Sequence, residues 1–281
     1  MRRGPVRSPQ THERPARLPA SHALVTGASS GIGAAIAREY ARRGVPLVLT
    51  ARRLDRLEAL AATLRARVPV ECIAADLADP SAPATLYAGL ARRGVHVGHL
   101  VNNAGYGVPG RFLSSDWQAH ADFLQVLVAS VCELTHRFLP AMEAAGEGRI
   151  LNVASLAGLV PASAGHTLYG AAKAFVIRFS ESLAQETGPR GVHVTALCPG
   201  MTFTEFHDVN NMRARVSKLP SWLWQDADTV ARLGLDAVDR GDARCVPGGV
   251  NRALAALSKY LPEPAARALI ASRSKDFRDA D

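Results

Sequence analysis

At 281 residues, with 48% hydrophobic and 21% charged residues, the chain holds enough apolar material for one sizeable core, which excludes a disordered protein and a small disulfide-stapled scaffold. The formal charge of +8 hints at an acidic partner. Residues 1–20, however, carry Arg2, Arg3, Arg7, Arg14 and Arg17 against Glu13 alone, so half the excess sits in a short tail and nucleic-acid binding by the body loses its support.

Taken in chain order, residues 1–20 also hold Pro5, Pro9, Pro15 and Pro19, so they have little to bury and are expected to be a mobile tail. The fold begins near residue 22. Short apolar runs at 23–26, 45–50, 70–74, 99–102, 150–154 and 192–197 read as strands. Helical stretches lie between them near 31–43, 54–67, 81–93, 115–145 and 167–186. In the second of these, Leu54, Leu57, Leu60 and Leu64 recur at three and four residues and give one buried stripe. A short strand near 244–246 and helices near 251–260 and 263–272 close the chain. Strands apolar on both faces and alternating with helices predict an α/β fold, a Rossmann-like doubly wound parallel sheet forming a single domain over 21–281.

Cys72, Cys132, Cys198 and Cys245 are far apart, with no CxxC and no paired histidine spacing, so neither a metal site nor a disulfide framework is indicated. Reduced thiols fit a cytoplasmic protein, and no secretory signal opens the chain. The uncharged run 150–172 has nominal membrane-spanning length, but Asn152, Ser155, Gly158, Pro161 and Tyr169 within it argue against a transmembrane segment.

Gly27, Gly31 and Gly33 fall between the first strand and the first helix, where a backbone must turn sharply or approach a pyrophosphate and a helix N-terminus offers free N–H groups. Alone, such a trio could be a tight turn with nothing bound. Together with Asn102-Asn103-Ala104-Gly105 and Tyr169-Gly-Ala-Ala-Lys173, its GxxxGxG spacing resembles the short-chain dehydrogenase/reductase family, classical type. The resemblance runs from about residue 23 to 206 and includes Asp76-Leu77, Ser155, and Pro199-Gly200 with Thr204. It implies a nicotinamide cofactor held by Gly27, Ser29, Ser30, Gly31, Ile32, Gly33, Asp76, Leu77, Asn103, Ala104, Gly105, Tyr169, Lys173, Pro199, Gly200, Thr202 and Thr204.

The choice of cofactor is read locally. An NAD-specific fold places a carboxylate at the end of the second strand for the ribose 2′-OH. This stretch reads Thr50-Ala51-Arg52-Arg53, with no acid between Glu39 and Asp55. A guanidinium there makes paired, charge-assisted bonds to a 2′-phosphate, so NADP(H) is expected. Arg52 is the residue assigned to it, rather than Arg53, which opens a helix and can be solvated.

Tyr169 and Lys173 are one helical turn apart and share a face. By the resemblance, Tyr169 is the acid/base, Lys173 lowers its pKa and binds ribose hydroxyls, and Ser155 holds the carbonyl oxygen where charge develops. The chain uses 29 arginines and only four lysines, so a lysine at this position, where a compact, tunable ammonium is wanted, is not incidental. One position departs from the family: Leu127 stands where an asparagine usually completes a water-linked proton relay. Either another group or bulk water serves the relay, or turnover is reduced, or the chemistry has been lost. The spacing from Ser155 to Tyr169 is also one residue longer than usual, with the extra residue expected within 161–167.

The substrate loop of the family follows Pro-Gly, here about 201–225, and carries Met201, Phe203, Phe206, Met212, Leu219, Trp222, Leu223 and Trp224. Such a lining suits a small hydrophobic carbonyl or alcohol of lipid, steroid or acyl type, the alternative being that most of these residues pack onto the body; Arg213, Arg215 and Lys218 read as a solvated loop, with an acidic head group as the alternative. The C-terminal helices, about 250–272, read as a lid or a dimer contact, with a membrane surface as the alternative. The expected function is NADP(H)-dependent oxidoreduction by a homodimer or homotetramer. The alternative is a catalytically impaired NADP-binding or interaction protein, motivated by Leu127.

Overall fold

The structure, a computed structural model, describes residues 21–162, 164–165, 167–204 and 223–260. The expected tail, most of the expected substrate loop and the helix expected near 263–272 lie outside the described residues. In chain order the elements are β1 (His22–Thr26), α1 (Gly31–Arg42), β2 (Leu47–Ala51), α2 (Leu54–Leu64), β3 (Val70–Ala74), α3 (Ala82–Arg92), β4 (Val97–Asn102), α4 (Trp117–Leu124), α5 (Ser130–Ala145), β5 (Gly148–Val153), α6 (Thr167–Thr187), β6 (Val192–Leu197), α7 (Ala227–Arg240), β7 (Arg244–Cys245) and α8 (Gly249–Tyr260).

All described strands belong to one parallel sheet of order β3-β2-β1-β4-β5-β6-β7. Successive side chains of a strand point to opposite faces, so β1 divides the core in two. Ala23 and Val25 pack with Ile36 and Tyr40 of α1, Leu57 of α2 and Val230 and Leu235 of α7. Leu24 packs on the other face with Leu86 and Leu90 of α3, Leu134 and Phe138 of α5, and Leu100 and Ile150 of the neighbouring strands. The chain runs outward from β1 to β3 and then returns to β4 beside β1. That reversal opens a crevice at the carboxyl ends of β1 and β4, where open α/β sheets bind their ligands.

Two boundaries differ from expectation for identifiable reasons. β2 starts at Leu47 and not at 45, because the Val45 N–H turns back to the Tyr40 carbonyl at 3.0 Å and Pro46 has no N–H to give. The stretch 115–145 is not one helix. Asp116 caps α4 by accepting from the Ala119 N–H at 2.8 Å, and a π turn over Gln125–Ala129 then separates α4 from α5. A π turn adds one residue to the helical path, so the faces of α4 and α5 are offset.

Candidate active site

The glycine turn is built by conformation and by clamping. Gly27 (φ +64°) and Gly31 (φ +56°) occupy the left-handed region that favours glycine. A Cβ on Gly33 would lie 2.4 Å from both the Gly27 carbonyl oxygen and the Asn103 Nδ2, so this position admits only hydrogen. Thr26, the last residue of β1, donates its hydroxyl to the Val101 carbonyl (3.1 Å) and accepts from the N–H groups of Asn103 (2.9 Å) and Ala104 (3.0 Å). Asn103 returns the contact, donating from Nδ2 to the Thr26 (2.8 Å) and Gly27 (3.1 Å) carbonyls. The turn is therefore pinned to the end of β4.

Above it lies a cavity of about 880 Å³ that runs along the carboxyl ends of the strands. All the residues expected at the site line it except Gly33, which lies behind the turn and lets α1 start against the Gly27 carbonyl. Ser29, Ser30, Arg52, Asp76 and Leu77 are among its lining, as are Asn103 to Gly105, Ser155, Tyr169, Lys173 and Pro199, Gly200, Thr202 and Thr204. Thr204 packs its side chain over Gly31, and Thr202 donates to the Gly200 carbonyl at 3.2 Å. Arg53, expected to be solvated, also lines the cavity and donates to the Ser29 hydroxyl at 3.3 Å.

The sequence reading missed several contributors. Tyr106 and Asp122 line the cavity, Tyr106 standing edge-on to Phe123 with ring centres 5.7 Å apart. Val160, Pro161 and Ala162 line it too. Thr26, placed directly before the first glycine, carried the clearest local signal, since a hydroxyl at the buried end of an apolar strand must find partners.

Ser155, Tyr169 and Lys173 converge from two elements. Ser155 follows β5 and accepts the Ala157 N–H at 3.1 Å, starting a short 3₁₀ turn. Tyr169 and Lys173 project from the first two turns of α6, with the Lys173 Nζ 5.8 Å from the tyrosine ring centre. Lys173 is 6% exposed and donates to the carbonyl of Val153, the last residue of β5, at 2.8 Å. Burial lowers its pKa to about 8, with a small opposing contribution from Cys198. Burial also raises the Tyr169 hydroxyl above its ordinary value, against a lowering hydrogen bond with Ser155. The net direction is upward, opposite to the lowering expected from Lys173.

Leu127 sits in the π turn, 1% exposed. A Cβ on Gly105 would meet its Cγ at 3.6 Å and the Lys173 Nζ at 3.8 Å, so an apolar side chain flanks the region beside the ammonium. Behind them a buried polar chain joins sheet and helices. Asn102 donates to Thr135 (3.1 Å) and to the Asn152 side-chain oxygen (2.8 Å), and Asn152 donates to Ser180 (2.9 Å). The expected extra residue falls in a stretch whose Ser163 and His166 lie outside the described residues. Its Gly165 carbonyl accepts from the Gly110 N–H at 3.0 Å.

Known proteins similar to this chain share one family and fold. A family model described as short chain dehydrogenase matches residues 21–214. The chain is 42% identical over 188 residues to a sulfoacetaldehyde reductase of Chromohalobacter salexigens, covering 65% of this chain and 73% of the relative. It is 36% identical over 193 residues to the very-long-chain 3-oxoacyl-CoA reductase-B of Danio rerio, covering 66% and 61%. Among solved structures, a short-chain dehydrogenase from Sphingobium yanoikuyae in complex with NADPH superposes with a TM-score of 0.76 at 34% identity over 93% of this chain and 97% of that one. The bulky-bulky ketone specific alcohol dehydrogenase from Comamonas testosteroni gives 0.72 at 32% identity over 93% and 96%.

Proposed function

The chain belongs to the short-chain dehydrogenase family and is an oxidoreductase acting between carbonyl and alcohol, and on that basis we propose that it reduces hydrophobic carbonyl compounds with NADPH. The observation that carries this reading is the make-up of one cavity: two arginines among its lining, a Ser–Tyr–Lys group, and an apolar stretch following Ser155.

The cofactor fits the residues present. The glycine turn leaves room where a Cβ would intrude, and Arg52 and Arg53 follow β2 with no carboxylate between Glu39 and Asp55, which suits a 2′-phosphate. When bound, the reduced nicotinamide supplies the hydride. The Ser155 hydroxyl holds the substrate oxygen, and the Tyr169 hydroxyl donates the proton that the developing alkoxide needs. Burial keeps Tyr169 protonated, as an acid for reduction must be. Lys173 stabilises the phenolate left behind, and its depressed pKa lets it exchange protons near neutral pH.

Leu156, Val160, Pro161, Ala162 and Met201 offer apolar surface to the substrate. Among the described lining residues the only cations are Arg52, Arg53 and Lys173. The apolar lining makes the bulky ketone named for the solved structure the better analogue, while Arg213, Arg215 and Lys218, the alternative place for an acidic head group, lie outside the described residues. The rival reading, a member retained only for binding, is not favoured by relatives named as reductases and dehydrogenases. We further propose a cytoplasmic homodimer or homotetramer in which 21–281 form one domain. No helix among the described residues is long and apolar enough to cross a membrane.

The test is a carbonyl panel assayed with NADPH and NADH side by side. Turnover of aryl and long-chain alkyl ketones with NADPH, and much weaker turnover with NADH, is expected. A preference for NADH, or for small anionic aldehydes over ketones, overturns the assignment.

A further inference from the structure

Two segments contribute to the wall of the cavity near Tyr169: 155–162, which follows β5, and 199–204, which follows β6. Helix α8 touches both. In its first turn Asn251, 4% exposed, donates from Nδ2 to the Gln225 side-chain oxygen (2.9 Å) and to the Pro247 carbonyl (2.9 Å). A Cβ on Gly200 would lie 2.4 Å from the Asn251 Oδ1, so the Gly200 backbone rests directly on this amide. Gln225 grips the same wall through its backbone, donating to the Met201 carbonyl (2.9 Å) and accepting from the Phe203 N–H (3.0 Å).

Two turns further along α8, the Ser258 hydroxyl reaches the Leu159 carbonyl of the first segment at 3.1 Å, sharing its proton with the Ala255 carbonyl at 2.9 Å. The two segments follow adjacent strands and are joined at their base, where the Leu156 N–H donates to the Pro199 carbonyl at 2.8 Å. Asn251 and Ser258 are seven residues apart and therefore lie on one face of the helix. Leu254, Ala255 and Ser258 of α8 are half-buried. Asn251 is its one buried residue, while Val250 and Leu257 are 40% and 44% exposed. Among the described residues, α8 makes a polar contact with each segment, through Asn251 and through Ser258.

We propose that α8 is a strut between these two segments, and that Asn251 and Ser258 are positioning residues that fix how far the segments diverge beyond the Leu156–Pro199 hydrogen bond and so the size of the carbonyl compound admitted. This rests on the reading of the cavity given above. Neither residue touches the reacting atoms; each acts through the wall it holds.

The experiment compares kcat/KM for benzophenone and acetophenone with NADPH in the parent, Ser258→Ala, Asn251→Ala and the double variant. Each single substitution is expected to move the ratio of the two ketones about fivefold or more, and Ser258→Ala to leave the KM for NADPH within about twofold. Because a strut released at either end is released altogether, the double variant should match the stronger single one, unlike independent sites, whose effects multiply. Ser258→Thr, which keeps the hydroxyl, should retain the parent ratio. A ratio unchanged in both single variants, or effects that multiply in the double, overturns the strut. If the parent turns over neither ketone, it is the reading of the cavity that fails. The strut is then judged by amide hydrogen exchange: either substitution should speed exchange in both 156–162 and 199–204, and faster exchange only beside the substituted residue overturns it.

Discussion

Two desolvated bases, one half-buried and one buried, lie towards opposite ends of the sheet. His99, paired in register with Arg149 towards the amino ends of β4 and β5, packs edge-on to Tyr40 with ring centres 5.4 Å apart. Burial, helped by Arg149, lowers its pKa to about 4. Lys173, at the carboxyl end, is lowered to about 8 by the same desolvation. The shift of His99 is comparable, yet it lines no described cavity, whereas Lys173 opens onto one of about 880 Å³ together with Ser155 and Tyr169. A perturbed pKa thus becomes a candidate for chemistry only where a reacting atom has room to approach. In a doubly wound sheet that room lies at the carboxyl ends.

Substitutions at the two ends should separate cleanly. Tyr169→Phe is expected to lower turnover by a factor on the order of 10²–10⁴ while leaving NADPH affinity intact, as read by steady-state kinetics and fluorescence titration. Undiminished turnover would remove Tyr169 from its role. Arg52→Ala should weaken NADPH binding by about ten- to a hundredfold, the worth of a charge-assisted contact, and leave NADH binding unchanged; equal losses for both cofactors would contradict contact with the 2′-phosphate.

The ammonium of Lys173 is lost as pH rises through about 8, so kcat/KM for reduction should fall above that pH. Lys173→Arg, charged throughout, should lower the plateau but push the falling limb to higher pH; an unmoved limb would assign it to another group.

At the silent end, His99→Phe should leave activity at pH 7 unaltered. The folded value of about 4 lies below the ordinary 6.5, so in the parent the unfolded chain takes up a proton that the fold refuses, and stability drops as pH falls from 6.5 towards 4. Melting curves at pH 7 and pH 5 should show that drop shrinking in the variant, and a drop of equal size would exonerate His99.

What could be read from sequence follows the range of the forces involved. Each strand of β1 to β6 was placed within about two residues, because an apolar run bounded by turn residues is a local signal. The glycine turn and the Tyr169–Lys173 pair were legible for the same reason, their geometry being set by backbone conformation and one helical turn. The π turn was not, because the run Gln125-Val-Leu-Val-Ala129 has nothing that marks an extra residue in a helical path. The state of Tyr169 was also out of reach. Spacing placed an ammonium beside it, but the burial that raises its pKa depends on the assembled fold. Arg53, Thr26, Gln225 and Asn251 acquire their roles from partners far away in the chain.

The clamp beneath the glycine turn also has a bearing on when the protein becomes competent. The Thr26–Val101 hydrogen bond joins residues 75 positions apart, and the Asn103 side chain that braces Gly27 comes from the residue just after the same distant strand. Pairing β1 with β2 needs only the intervening helix, whereas pairing β1 with β4 must close a much longer stretch of chain, which is the slower kind of event. A nascent chain that ends before β4 carries every glycine of the turn and none of its support. The turn is then supported only once β4 has been made and paired, and a bound dinucleotide reports that the two halves of the sheet have joined.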